Sequence, residues 1–180
     1  MAKSVVRVHF MDSNSKAFAI ESGASADAML KLVIERLELK ESATFALFEK
    51  KDDWERCLEP DEKPAELMKA WTGDPKDESS PRFLFKKKTF IRDDDRELSD
   101  LVARHLVYIQ ALASVVNADY PTSPEQAVRL AGLQVQVVYG DHNAATHVPG
   151  FLTYAPIPTY AHFHVLFLDS AHLANFLGRA

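Results

Sequence analysis

Between Val5 and Phe10 the chain alternates, with Val5, Arg7 and His9 on one side and Val6, Val8 and Phe10 on the other. Asp12-Ser13-Asn14-Ser15 then supplies turn chemistry, and Phe18 and Ile20 resume the rhythm, so a β-hairpin is predicted. The period then lengthens. Ala26, Met29, Leu30, Val33, Ile34 and Leu37 recur at helical spacing through ADAMLKLVIERLEL, with Ser25 placed to cap the helix. A strand at Thr44–Glu49, a turn at Lys51-Asp52-Asp53 and a weaker strand from Trp54 to Leu58 follow. Pro64 suits the first turn of a short helix over Ala65–Trp71, and after a polar stretch, Thr72 to Pro81, another strand runs over Arg82–Lys88.

The resulting order, ββαββαβ, is that of a ubiquitin-like β-grasp. Its sheet must bury one face under the main helix, so Met29 and its neighbours are expected against Val6, Val8, Phe18, Phe45 and Leu47. Past Arg92 the pattern changes. Asp93-Asp94-Asp95 forms a polar link that favours a helix start through the helix dipole. Leu98, Leu101, Val102, Leu106, Ile109, Leu112, Val115 and Val116 then describe a long helix, apolar over more than half its circumference, which calls for helical neighbours. Tyr120-Pro121 breaks it. Ser123-Pro124-Glu125-Gln126 carries a cap, a first-turn proline and the Gln of a capping box, and the helix it opens is expected to end at Gly140. The fold class is therefore α+β, a ubiquitin-like β-grasp over residues 1–92 followed by a small all-α helical bundle over residues 93–150, with an atypical tail at residues 151–180.

These residues resemble the FERM module, whose first lobe is ubiquitin-like and whose second resembles an acyl-CoA-binding protein. Phe45-Ala46-Leu47-Phe48-Glu49 is similar to the third strand of the first lobe, and Arg82 to Phe90 (RFLFKKKTF) to its last strand leading into the second. Tyr120-Pro121, Gln126-Ala127 and Leu130-Ala131-Gly132-Leu133-Gln134 resemble the helix pair of the second lobe. Within the family the likeness is nearest to FERM modules in the tails of unconventional myosins and a plant kinesin. It covers residues 4 to about 150. The third, pleckstrin-homology-type lobe is expected to be absent, and the run from Thr153 to Ala180, with its apolar HVLFLDSAHLANFL segment, departs from the usual end of the second lobe.

Composition narrows what such a chain does. In 180 residues, 47% are hydrophobic and 26% charged, which suits a folded chain rather than a disordered one. A net charge of −5 argues against nucleic acid as a partner. Cys57 is the single cysteine, excluding an internal disulfide and favouring a reducing compartment. The N-terminus lacks a signal-peptide pattern, and a cytoplasmic location is expected. No GxGxxG, phosphate-binding loop, HExxH or GxSxG motif is found, so neither an enzyme nor a cofactor is expected. His162, His164 and His172 offer imidazoles to a metal but lack cysteine company, and are read as ordinary histidines. Asp93–Asp95 and Lys51–Asp53 lack the glycine and terminal glutamate of a calcium loop.

Lys86-Lys87-Lys88, extended by Arg82 and Arg92, is the candidate membrane- or partner-binding site. Strand alternation sends Lys86 and Lys88 to one face and Lys87 to the other. Near an anionic membrane each charge is worth about 1 kcal/mol, and the alternative is a solvated strand edge that resists aggregation. Changing all three lysines to Glu is expected to leave folding nearly intact while weakening membrane attachment. The resemblance implies a non-catalytic adaptor that joins a membrane-protein tail or motor cargo to the cytoskeleton at the cell cortex, with a phosphoinositide membrane surface as a further partner. Two other readings are a Ras-association-like module for a small GTPase, against which Lys16 stands alone as a basic residue on the second strand, and an acyl-CoA-type carrier, whose aromatic and basic nucleotide contacts are not evident.

Overall fold

A computed structural model describes residues 3–52, 54–73, 80–90 and 99–151. The chain divides into two compact units, Met1–Ala111 and Leu112–Ala180.

The first unit opens with the expected hairpin, β1 (Lys3–His9) against β2 (Ser15–Glu21), antiparallel with Val6 opposite Phe18. Asp12 shapes its turn by accepting from the Asn14 N–H at 3.1 Å, while Ser13 takes a left-handed φ of 63°. Helix α1 (Ala26–Leu37) starts at Ser25, whose hydroxyl accepts from the Ala28 N–H, and stops at a left-handed Glu38. Two further first-turn N–H groups are satisfied from a distant loop: Ala26 donates to Glu62 O at 2.7 Å and Asp27 to Pro60 O at 3.0 Å. The helix entry is thereby pinned to residues 60–62, which closes the accounting of donors that a helix start leaves open.

Strands β3 (Phe45–Lys51), β4 (Trp54–Cys57) and β5 (Arg82–Lys87) complete a five-stranded sheet in the order β2-β1-β5-β3-β4. β1 and β5 run parallel at its centre and the other pairs are antiparallel. Between β4 and β5 the chain forms a single helical turn, α2 (Pro64–Leu67), and a 3-10 turn at Met68–Ala70. The expected helix over Ala65–Trp71 is thus tightened in its second half, and Trp71 leaves it extended to lie 4.5 Å from the Phe83 ring.

The core follows from alternation. Val6, Val8, Phe18, Ile20, Phe45, Leu47, Phe83 and Phe85 send their side chains to the face under α1, where Met29 and Val33 are fully buried. Phe85 stacks on Phe45 at 5.5 Å and meets Phe10 edge-on at 6.1 Å. Side chains of this size each stabilise the fold by about 1.5–3 kcal/mol when removed from water.

Helix α3 (Leu101–Val116) begins three residues later than its apolar pattern, and Leu98, like Asp93–Asp95, lies outside the described residues. Its apolar surface was expected to need helical neighbours. In its N-terminal half, Ala103, Leu106 and Ile109 join the β-grasp core itself. Its N-terminus is tied by Asp100, which accepts from the Val102 N–H at 3.0 Å and from the Lys40 and Glu41 N–H groups at 2.8 and 3.0 Å.

In the second unit, helix α4 (Pro124–Tyr139) carries the complete predicted cap. The Ser123 hydroxyl accepts from the Gln126 N–H, Gln126 Oε1 accepts from the Ser123 N–H, and Gly140 ends the helix with a φ of 78°. After it, Phe151 stacks on His147 at 4.6 Å and meets Tyr139 edge-on at 5.7 Å. The tail run and the histidines at positions 162, 164 and 172 lie outside the described residues.

Candidate partner-binding surface

The basic run on β5 is divided by the pleat. Phe83, Phe85 and Lys87 share the face turned to α1, and Arg82, Leu84 and Lys86 the opposite one. Lys87 is consequently buried, at 3% exposure. Its ammonium donates to the Thr44 hydroxyl at 3.3 Å and lies 6.0 and 5.6 Å from the rings of Phe45 and Phe90. Its backbone is held as firmly: the N–H donates to Gln110 Oε1 at 2.8 Å, and the carbonyl accepts from Gln110 Nε2 at 3.1 Å. This corrects the expectation that a Glu at all three lysines leaves folding nearly intact, because a carboxylate at position 87 would be buried.

Lys86, on the other face, forms an ion pair with Glu55 and lies 4.8 Å from the Phe48 ring centroid. Lys88 is exposed at the strand end, where its N–H donates to Thr44 O at 2.7 Å. Arg82 is half-buried and donates from Nε to Ser80 O at 3.3 Å. Arg92 lies outside the described residues. The five candidates therefore do not form one uniform patch: one is internal, one is neutralised locally, and two described ones reach solvent at different places.

The structure adds neighbours that the basic run did not announce. His9 lies opposite Leu84, and Arg7 opposite Ala17 on β2. Burial pushes the His9 imidazole below its ordinary range, and the positive charges of Arg82 and Arg7 push it further, so the three side chains share one electrostatic neighbourhood. A second network occupies the far side of the unit. Arg56 bridges Glu49 at 2.8 Å and Glu62 at 2.6 Å, and Trp71 Nε1 donates to Glu49 Oε1 at 2.8 Å. The hydrogen bond from Arg56 holds the Glu62 carboxyl below the usual carboxylate range. All its partners are mutually satisfied, which marks it as a brace between β3, β4 and the residue that follows the 3-10 turn.

Cys57 sits half-buried on β4 with its thiol 3.6 Å from Leu58 O. Among the described residues no three His, Cys, Asp or Glu side chains gather as a metal site, and no helix is long and apolar enough to cross a membrane.

A five-stranded grasp over a helix, followed by a capped helical unit, defines a ubiquitin-like module joined to a helical one. Comparison with known proteins gives this class its family: residues 2–89 match the RA like domain and residues 93–167 the FERM central domain. The chain belongs to the FERM family. It is 28% identical over 150 residues to Talin-B of Dictyostelium discoideum, covering 82% of this chain and 5% of that protein. The fold is shared with the Merlin FERM and C-terminal domain complex of Drosophila, at a TM-score of 0.69 and 23% identity over 97% of this chain and 57% of that one. It is shared too with the human Myosin 7b C-terminal MyTH4-FERM domain in complex with the harmonin-a PDZ3 domain, at a TM-score of 0.65 and 16% identity over 97% of this chain and 36% of that one.

Proposed function

We propose that the chain is a non-catalytic FERM-type protein-binding module that links the cytoplasmic tail of a membrane protein, or a motor cargo, to the cytoskeleton at the cell cortex. The observation that carries this reading is the pair of family matches, in order, along a fold shared with Merlin and Myosin 7b. Likeness to Talin-B, of which the chain spans 5% of the length, supports the cytoskeletal side of the reading. The Myosin 7b MyTH4-FERM domain is in complex with another protein's domain, harmonin-a PDZ3, which supports docking of a protein as the central act. Arg82, Lys88 and Arg92 serve as an accessory attraction to phosphoinositide membranes, while Lys86 is held by Glu55 and Lys87 acts through its support of β5.

The test is a bridging sedimentation. Vesicles displaying membrane-protein tails are mixed with actin filaments or microtubules, with and without the intact chain. Co-pelleting that depends on both the tail and the chain supports the reading, and vesicles that pellet no better with the chain refute it. A salt series with bare phosphoinositide vesicles tests the basic residues separately.

The RA like match over residues 2–89 favours a second reading, capture of a small GTPase by the first unit. β2 lies at an edge of the sheet, where a strand from a partner can pair with it. Preference for a GTP-loaded over a GDP-loaded GTPase would support it, and equal or absent binding across a GTPase panel would oppose it.

A further inference from the structure

The sheet has a second face, turned away from α1. Its residues follow from the register: Lys3 lies opposite Glu21, Val5 opposite Ala19 and Arg7 opposite Ala17 on the β1–β2 ribbon. Farther across, His9 lies opposite Leu84, Leu84 opposite Phe48, and Arg82 opposite Lys50. Neighbouring strands are about 5 Å apart, so this face spans on the order of 15 Å across four strands.

Its β1–β2 end is open. Val5 is 65% exposed although it is a large aliphatic residue in the middle of a strand, and Ala17 and Ala19 beside it are exposed as well. Around this apolar centre the charges are mostly positive. Lys3, Arg7, Lys50, Arg82 and Lys86 share the face with Glu21 and Glu55, of which Glu55 is already paired with Lys86. The chain as a whole carries a net charge of −5, so the sign of this face runs against that of the molecule. The nearby imidazole of His9 is disposed to neutrality by burial and by these same arginines.

We propose that this face, centred on Val5, Ala17 and Ala19 and flanked by Arg7 and Arg82, docks an acidic protein segment whose carboxylates alternate with apolar side chains. The proposal rests on the protein-binding reading above and names the surface and the chemistry of the partner. Charge complementarity selects carboxylates, and the planar guanidinium fork of Arg7 can grip one through two parallel hydrogen bonds. Arg7 is already oriented along the ribbon by its hydrogen bond to the Ser15 hydroxyl at 3.0 Å, which reduces the ordering that binding requires. Val5 with the two alanines gives an apolar side chain a place to be desolvated between those contacts. A lipid surface is served less well. Membranes attract clusters of freely projecting Lys and Arg, whereas here Lys86 is neutralised by Glu55 and the centre is aliphatic.

The test uses the intact chain, labelled with 15N, and a twelve-residue peptide alternating Glu or Asp with Val or Leu. The expected result is saturable shifts at the amides of Val5, Arg7, Ala17 and Ala19, with Arg7→Glu and Val5→Glu each raising Kd at least ten-fold. Both positions are exposed, and an unchanged circular dichroism spectrum confirms the fold. Lys69→Glu, on the 3-10 turn and away from this face, is expected to leave Kd within two-fold. Absent binding, shifts spread over other surfaces, or equal affinity for a peptide with Gly in place of Val and Leu would overturn the proposal. So would variants that lose anionic-vesicle binding while keeping the peptide, which would make the face a membrane surface. Tail-dependent bridging that survives Arg7→Glu and Val5→Glu would remove this face while leaving the adaptor reading intact.

Discussion

Gln110 is the residue whose removal should cost the first unit most for the smallest change of shape. It is 6% exposed, and its amide closes a two-membered ladder with the Lys87 backbone, accepting at 2.8 Å and donating at 3.1 Å. In Gln110→Leu the volume is nearly kept, but the buried Lys87 N–H and C=O both lose this partner. A buried polar group left unsatisfied costs about 1–3 kcal/mol, so the pair should cost about 2–4 kcal/mol once partial relaxation is allowed. Against a total stability on the order of 5–15 kcal/mol this is a large fraction. With a urea dependence of about 2 kcal/mol per molar, the unfolding midpoint should fall by roughly 1–2 M. The assay is urea unfolding followed by tryptophan fluorescence. Both tryptophans, Trp54 and Trp71, lie within Met1–Ala111, so the signal reports that unit. Gln110→Glu sharpens the test. Its ionised carboxylate accepts from the Lys87 N–H but cannot donate to the carbonyl, whereas the protonated acid can do both, so the deficit should shrink as pH falls through its pKa. A loss below about 0.5 kcal/mol in Gln110→Leu would refute the reasoning, since it would mean the two bonds contribute nothing that water or a neighbour cannot replace.

Three further outcomes follow from the same structure. Lys87→Glu should destabilise the first unit by several kcal/mol, because it buries a carboxylate near Phe45 and Phe90, while Lys88→Glu at the exposed strand end should stay within about 0.5 kcal/mol; parallel urea titrations compare them. Burial pushes the Asp100 carboxyl up, but N–H donors from Glu41, Lys40, Val102 and Ala103 outweigh it and hold the group below its ordinary value of 3.8. Its folded pKa being depressed, its contribution is present above pH 3.8 and is lost as pH falls through the folded value; the stability gap between wild type and Asp100→Ala, measured by urea unfolding, should therefore narrow below about pH 4. Ser123→Ala removes one half of the α4 capping box and should weaken that helix start by about 1 kcal/mol, seen as faster hydrogen exchange at the Gln126 amide with no change in tryptophan fluorescence.

Local signals were readable in the sequence and distant ones were not. The α4 cap needs only Ser123, Pro124 and Gln126, neighbours in the chain, and the structure contains it as written. The β-grasp order was readable because each element has its own period, and alternation alone assigned Val6, Val8, Phe18, Phe45 and Leu47 to the core. Alternation also separated Lys87 from Lys86 and Lys88, yet it could not say that Lys87 is enclosed, since the enclosing groups come from Thr44 and from Gln110, 23 residues further on. The start of α3 was read from Asp93–Asp95, but the carboxylate seen holding it is Asp100, whose other ligands, the Lys40 and Glu41 amides, are some 60 residues away. Periodicity shows how wide the buried stripe of α3 is and not what covers it, so the share of Ala103, Leu106 and Ile109 in the β-grasp core has no local signal. Arg7 and His9 were noted only as the polar side of β1; that they stand with Arg82 depends on the parallel pairing of β1 with β5, which no local pattern announces.

The central claim, that this FERM-type chain acts by docking protein tails, is tested most directly by titrating the intact chain against a panel of purified cytoplasmic tails from membrane proteins and motor cargoes in a calorimeter at physiological salt. The account predicts saturable one-to-one binding of at least one tail, in the micromolar range or tighter, that persists without any lipid present. Saturable binding to none of the tails, with attachment only to anionic vesicles and its loss at high salt, would contradict it.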